Sequence, residues 1–220
     1  MQWNDEGYLL SKVNYNENSI IIDVLTLNHG KCSGIIYGGT SKKIKNFLQI
    51  GNKLFLNFNS KNENRMGYFK TEIIRAISPF FFNDKRKTSI ILSAASILKI
   101  LLPQEQENAK IFNSFESLMN NLFKAKWIIS YIYWEQLLIK ELGFDFNLFK
   151  EKKIDNFNYK KNGLSLKIPE FFLTRENYNI TEKQIKEALQ FNKNLLISNF
   201  FEGNSLKIPR SRYALEKYYN

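Results

Sequence analysis

The chain is poor in the residues that most often carry chemistry. Its 220 residues include one cysteine, Cys32, and one histidine, His29. That excludes an internal disulfide, and it excludes a Cys/His metal cluster built from this chain alone. A Ser-His-Asp or Cys-His nucleophile would have to use His29, which stands beside Gly30 and reads as a plain turn residue. Acidic pairs such as Asp5 and Glu6 are dispersed, so no general acid or base is assigned and no catalytic residue is expected. With 4 prolines and 10 glycines there is no Pro/Gly-rich linker, and no internal repeat is visible. Long apolar runs are missing as well. The best of them, "SIILSAASILKILLP" (89–103), is broken by Lys99 and is too short to span a bilayer. The polar, acidic start "MQWNDEGYLL" has no signal-peptide pattern, so a soluble, cytoplasmic protein without membrane contact is expected.

What the chain does have is a core and a concentration of positive charge. Hydrophobic residues make up 44% and aromatics 15%, enough to bury one large domain or two modest ones. The formal net charge is +11. Residues 1–39 set Lys12 and Lys31 against four acids, whereas 40–87 set eleven Lys/Arg against Glu63, Glu72 and Asp84. A general lysine bias would spread evenly. A band of this kind is the footprint of a polyanionic partner, most often nucleic acid, with a merely solvated face as the bland alternative. The stretch "IIYGGTSKKIKNFLQIG" (35–51) lies inside it. A phosphate-binding P-loop needs G-x-x-x-x-G-K-[ST] opening a helix; here Gly38 and Gly39 precede Lys42 without that motif, and no helix pattern opens. A basic turn between strands fits better.

The first eighty residues read as strands. "EGYLLSKV" (6–13), "SIIIDVLTL" (19–27) and "CSGIIYG" (32–38) are rich in β-branched and aromatic residues and are punctuated by "YNEN" and "NHGK". "KLFLNFNS" (53–60) and "RMGYFKTEII" (65–74) follow. Five strands in about 75 residues suit a closed OB-type barrel, although spacing alone also allows an SH3-like one. From about residue 80 the period changes to helical: 84–103, 107–123 and 126–143, the last closed by Gly143. Asn162-Gly163 marks a hairpin insert over about 157–168, Thr181 and Gln184 open a helix with a capping box, and a final helix runs from about Arg210 to Tyr219. The expected fold is α+β: an OB-type barrel over 1–80, then a mainly helical domain over 81–220 carrying the hairpin.

Candidate polyanion contacts are Lys42, Lys43, Lys45, Lys53, Arg65, Tyr68, Lys70, Arg86 and Lys87. The cations sit on loops and strands that a barrel can converge on one face, and aromatics interleave with them as stacking platforms for bases. Alternation makes Tyr68 the outward aromatic, with Phe55 and Phe69 assigned to the core. "DKRK" (84–87) places cations at a helix N-terminus against the macrodipole, which points to a use for them elsewhere, although Asp84 as N-cap offsets the cost. Trp127, Ile128, Tyr131 and Trp134 recur at helical spacing and read as core.

Several stretches resemble the RecO family of bacterial recombination mediators. "EGYLLSKVNYNENSIIIDVLTLNHGKCSGIIYGGTSKK" is similar to its N-terminus in the glycine before the first strand, the "YNENS" turn, the "LTLNHGK" turn and the "GGTSKK" loop. "FLQIGNKLFLNF", "WEQLLIKELGFDFNL" and "LKIPRSRYAL" resemble later motifs in the same order. The resemblance implies an OB barrel followed by a helical domain and a non-enzymatic activity without a cofactor. That activity is binding single- and double-stranded DNA, annealing complementary strands and, with RecR, helping RecA displace single-strand-binding protein (SSB). It implies DNA contacts at Lys42, Lys43 and Lys45, and RecR and the acidic SSB tail as partners. Two departures stand out. Residues 144–180 have no cysteine where many relatives carry a four-cysteine zinc cluster, so zinc is not expected. Ile132 and Tyr133 stand where some relatives place cations for the SSB tail. An OB-fold RNA-binding module of translation or RNA maturation is the alternative that shares barrel and charge. A small enzyme is a third, for which no constellation is found.

Overall fold

The structure, a computed structural model, describes residues 1–61, 66–144, 158–161, 164–173 and 180–219. Two compact units divide at Met119/Asn120. The first begins with five strands: β1 (Gln2–Asn16), β2 (Ser19–Thr26), β3 (Gly30–Tyr37), β4 (Lys53–Asn59) and β5 (Tyr68–Arg75). They close in the order β1-β2-β3-β5-β4. The long β1 makes this possible. Its first half pairs with β4 and its second half with β2, bending at bulges between Leu9 and Ser11 and between Asn14 and Asn16. The last seam is a parallel contact of β3 with β5 at Ile35 and Tyr68. This is the OB arrangement, which settles the SH3-like alternative.

Alternation supplies the core. Leu54, Leu56 and Phe58 of β4 point inward with Leu9, Ile20, Ile22, Val24, Cys32, Ile36 and Phe69. At the β3–β5 seam a Cβ on Gly34 would stand 2.6 Å from the Phe69 ring, so only glycine lets that ring lie against the strand. Phe55 corrects the sequence expectation. Its neighbours Leu54 and Leu56 take the inner face, so Phe55 points out and is 41% exposed.

A second correction lies between β3 and β4, where a short helix α1 (Lys42–Phe47) replaces the expected turn. Gly38, at φ +69, reverses the chain after β3, and the Ser41 amide donates to the Gly38 carbonyl to start the helix. Ile44 and Phe47 then pack on the barrel core, with buried Leu48 just beyond them. Six residues are too few for a periodicity signal, and docking of those apolar residues holds the helix where propensity could not.

A 3₁₀ turn (Ser78–Phe81) leads to α2 (Lys85–Leu101), capped by Asp84, whose side chain accepts from the Lys87 amide. Helix α2 packs on β1, and α3 (Ala109–Asn121) lays Phe112 and Phe115 against Tyr8. Strand gives way to helix near residue 80, whereas the compact unit runs on because these two helices pack on the barrel.

The second unit contains α4 (Trp127–Glu141), the hairpin β6 (Asn158–Lys161) and β7 (Leu164–Lys167), α5 (Glu170–Leu173), α6 (Glu182–Leu196) and α7 (Arg210–Glu216). Gly143 follows the C-cap of α4, and Thr181 and Gln184 form the capping box of α6. Asn162-Gly163 lies outside the described residues, but Lys161 pairs with Leu164 across it. Tyr131 and Trp134 are buried, as their spacing predicts, while Trp127 and Ile128 are half-buried. The centre of this unit is fully buried Arg212. Its guanidinium donates to both Glu135 carboxylate oxygens, to Glu216 Oε1 at 3.0 Å and to the Leu189 carbonyl at 2.7 Å. Burial alone would lower its pKa; Glu135, Tyr131 and Glu216 together outweigh that and raise it.

Candidate nucleic-acid interface

Helix α1 presents Lys42, Lys43 and Lys45 to solvent while Ile44 and Phe47 hold it to the barrel. Among the described residues, no carboxylate lies within ion-pairing distance of these three lysines or of Lys70. Thr40 ties the start of α1 to the β1–β2 turn, its hydroxyl donating to the Glu17 carbonyl at 2.9 Å. At the other end of the helix, the Lys12 ammonium donates to the Leu48 carbonyl. Burial pulls the Lys12 pKa down, and Lys45 nearby lowers it further. A groove of about 500 Å³ opens here, lined by Lys12, Asn46, Gln49, Phe82, Ile91 and Leu92.

Lys70 and Tyr68 share the outward face of β5, because Phe69 between them points into the core. Tyr68 is half-buried, and its ring centre lies 5.8 Å from that of Tyr37. Arg86 is exposed on α2, and Lys87 is half-buried, 3.9 Å from the Asp84 carboxylate and over the Phe81 ring. Arg65 lies outside the described residues.

Lys53 does not join this set. Its ammonium lies 2.8 Å from Glu6 and 2.6 Å from Glu116, and Glu116 also accepts from the Tyr8 hydroxyl. Burial would lower its pKa, but the two carboxylates outweigh burial and raise it. Lys53 fastens α3 to the barrel and has no charge left for a ligand.

His29 is more than a turn residue: its Nδ1 lies 2.8 Å from Asp5 Oδ2, and its ring stacks on Trp3 at 4.0 Å. Buried Asp5 also accepts from the Asn28 amide, so the pair pins the β2–β3 turn to β1. Cys32 is core; burial pushes its thiol up to about 12, which leaves it unreactive at neutral pH. Tyr37, which the sequence reading passed over, is 64% exposed. The signal was available: Cys32, Gly34 and Ile36 take the inner face of β3, which turns Tyr37 outward. In the second unit, Ile132 is fully buried and Tyr133 packs against Phe171. Among the described residues no helix is long and apolar enough to cross a membrane.

Residues 1–77 match the family model described as "Recombination protein O N terminal". The chain is 32% identical over 148 residues to a protein of Cereibacter sphaeroides named "DNA repair protein RecO", across 67% of this chain and 62% of the relative. Proteins of the same name from Roseobacter denitrificans (30% over 145 residues; 66% and 60%) and Wolbachia pipientis subsp. Culex pipiens (32% over 152; 68% and 62%) are similar to the same degree. The matches thus span about three fifths of these relatives' length. With an OB barrel under the family's N-terminal model and relatives of one name along two thirds of the chain, the barrel of this protein belongs to the RecO N-terminal family and the chain as a whole is similar to RecO proteins.

Proposed function

We propose that this protein is a DNA-binding recombination mediator acting in DNA repair, without catalysis of its own. In this reading it holds single- and double-stranded DNA, brings complementary strands together and, with RecR, assists RecA on SSB-coated DNA. The observation that carries it is the exposed lysine cluster of α1, mounted on an OB barrel and unpaired among the described residues. The name borne by the relatives supports the repair context. The proposed contacts are Lys42, Lys43, Lys45, Tyr68, Lys70, Arg86 and Lys87, with the barrel of residues 1–80 as the binding domain.

The mechanism is electrostatic. Two strands repel through their phosphates, and a surface that neutralises several phosphates on each lets base pairing nucleate. Nucleotide hydrolysis is not needed, because duplex formation is itself downhill. A fluorescence annealing assay with complementary oligonucleotides, with EDTA and no nucleotide, tests this. Annealing faster than the spontaneous rate, falling steeply with salt, is expected with bare strands and with SSB-coated strands. No acceleration at any salt concentration overturns the proposal.

A further inference from the structure

The outward face of the barrel carries an apolar band that charge does not explain. Strand register places Val13, Ile21, Ile35 and Tyr68 side by side across β1, β2, β3 and β5. Val13 is 58% exposed, Tyr37 64%, and Tyr15, beside the β1 bulge, 60%. Ile21, Ile35 and Tyr68 are half-buried, so the row is a partly covered apolar floor edged by exposed Val13, Tyr15 and Tyr37. Solvent-facing strand positions more often carry polar side chains, and an apolar surface of this kind marks a place for a partner.

The geometry of the two tyrosines says what. Their ring centres are 5.8 Å apart and their planes are inclined by 52°, so the rings touch without stacking on one another. Tyr37 is 64% exposed, so its side chain is largely open to solvent. The surroundings favour an anionic occupant. Lys70 lies two residues beyond Tyr68 on the same face, and Lys42 and Lys43 follow Tyr37 through the tight turn at Gly38. The outward carboxylate of β2, Asp23, is already engaged by Lys99 at 2.9 Å and by the hydroxyls of Ser11 and Ser33.

We infer that Tyr37 and Tyr68, over the floor of Val13, Ile21 and Ile35, form a base-stacking platform for single-stranded DNA. This rests on the barrel being the DNA-binding element, and it adds the strand class that this face selects. Unpaired bases offer a π-face to a flat aromatic ring, while duplex bases are already stacked on each other and show only their edges. The lysines then hold the phosphates and the tyrosines hold the bases. The contact is indifferent to sequence, since every base has a π-face.

The test uses the full chain and two labelled probes, an oligothymidylate of about 12 nucleotides and an abasic strand of the same length. Tyr37→Ala should weaken binding to the oligothymidylate about ten-fold, one stacked base being worth about that much, and leave the abasic strand within about two-fold. Tyr37→Phe keeps the ring and should bind like the parent. The Tyr37 side chain is largely in solvent, so the alanine variant should keep the parent's circular dichroism; Tyr68→Ala is the independent second variant. Equal losses on both probes, or none on either, would overturn the platform. Lysine-to-alanine changes at 42, 43 and 45 should weaken both probes alike. Tyrosine effects confined to the base-bearing strand, with no effect of the lysine changes, would leave the platform standing and remove the α1 contacts from the proposed function.

Discussion

Replacing Lys42, Lys43 and Lys45 together by alanine isolates the electrostatic part of the account. The three ammonium groups are exposed, and α1 is held by Ile44 and Phe47, which the substitutions leave in place. Alanine is also the better helix former, so the barrel should melt at an unchanged temperature. Each phosphate contact on a single strand contributes about 0.7 to the slope of log K against log salt. Three lost contacts should therefore flatten the slope by about 2, which between 50 and 200 mM salt is worth about twenty-fold. Fluorescence anisotropy of a labelled oligothymidylate across a salt series reads both quantities. The control is Lys53→Ala. Its ammonium is spent on Glu6 and Glu116, so the salt slope should stay as it is while stability falls. The carboxylates are about a third exposed, which limits that fall to about 1–2 kcal/mol. A triple variant with the parent's slope would refute the reasoning, and so would a Lys53 variant that loses slope.

Two predictions concern the scaffold. Arg212→Met leaves Glu135 uncompensated at 0% side-chain exposure and should cost about 3–5 kcal/mol in denaturant melts, with loss well below that if the network were dispensable. Asp23 is subject to burial, which raises its pKa, but Ser11, Ser33 and Lys99 outweigh it and hold it below the ordinary carboxylate value. Its contribution is thus complete above the unfolded pKa of about 3.9 and fades as pH falls through the folded value. Urea melts from pH 7 to 3 should show Asp23→Asn less stable than the parent at pH 7 and converging with it in acid; a constant gap would count against the assignment.

Where sequence reading succeeded, the signal was local. Leu54, Leu56 and Phe58 alternate, Thr181 and Gln184 sit three apart, and Asp84 stands before an apolar helical period, so strand faces and helix starts could be read directly. Where it failed, the deciding partner was distant. Lys53 reads as a free cation because Glu116 is 63 residues away, His29 reads as no more than the turn residue it is because Asp5 is 24 away, and Arg212 meets Glu135 across 77. Helix α1 was hidden for another reason: a six-residue element owes its shape to docking on a core that only the closed barrel creates. Tyr37 is legible by alternation alone, since Cys32, Gly34 and Ile36 take the inner face of β3.

The central claim is that the barrel, through α1 and the tyrosine face, is where DNA is held. Amide hydrogen exchange of the full chain with and without saturating oligothymidylate tests it most directly. Slowed exchange is expected in peptides covering 35–47 and 66–75. Protection confined to 120–220, with the barrel peptides unchanged, would contradict it.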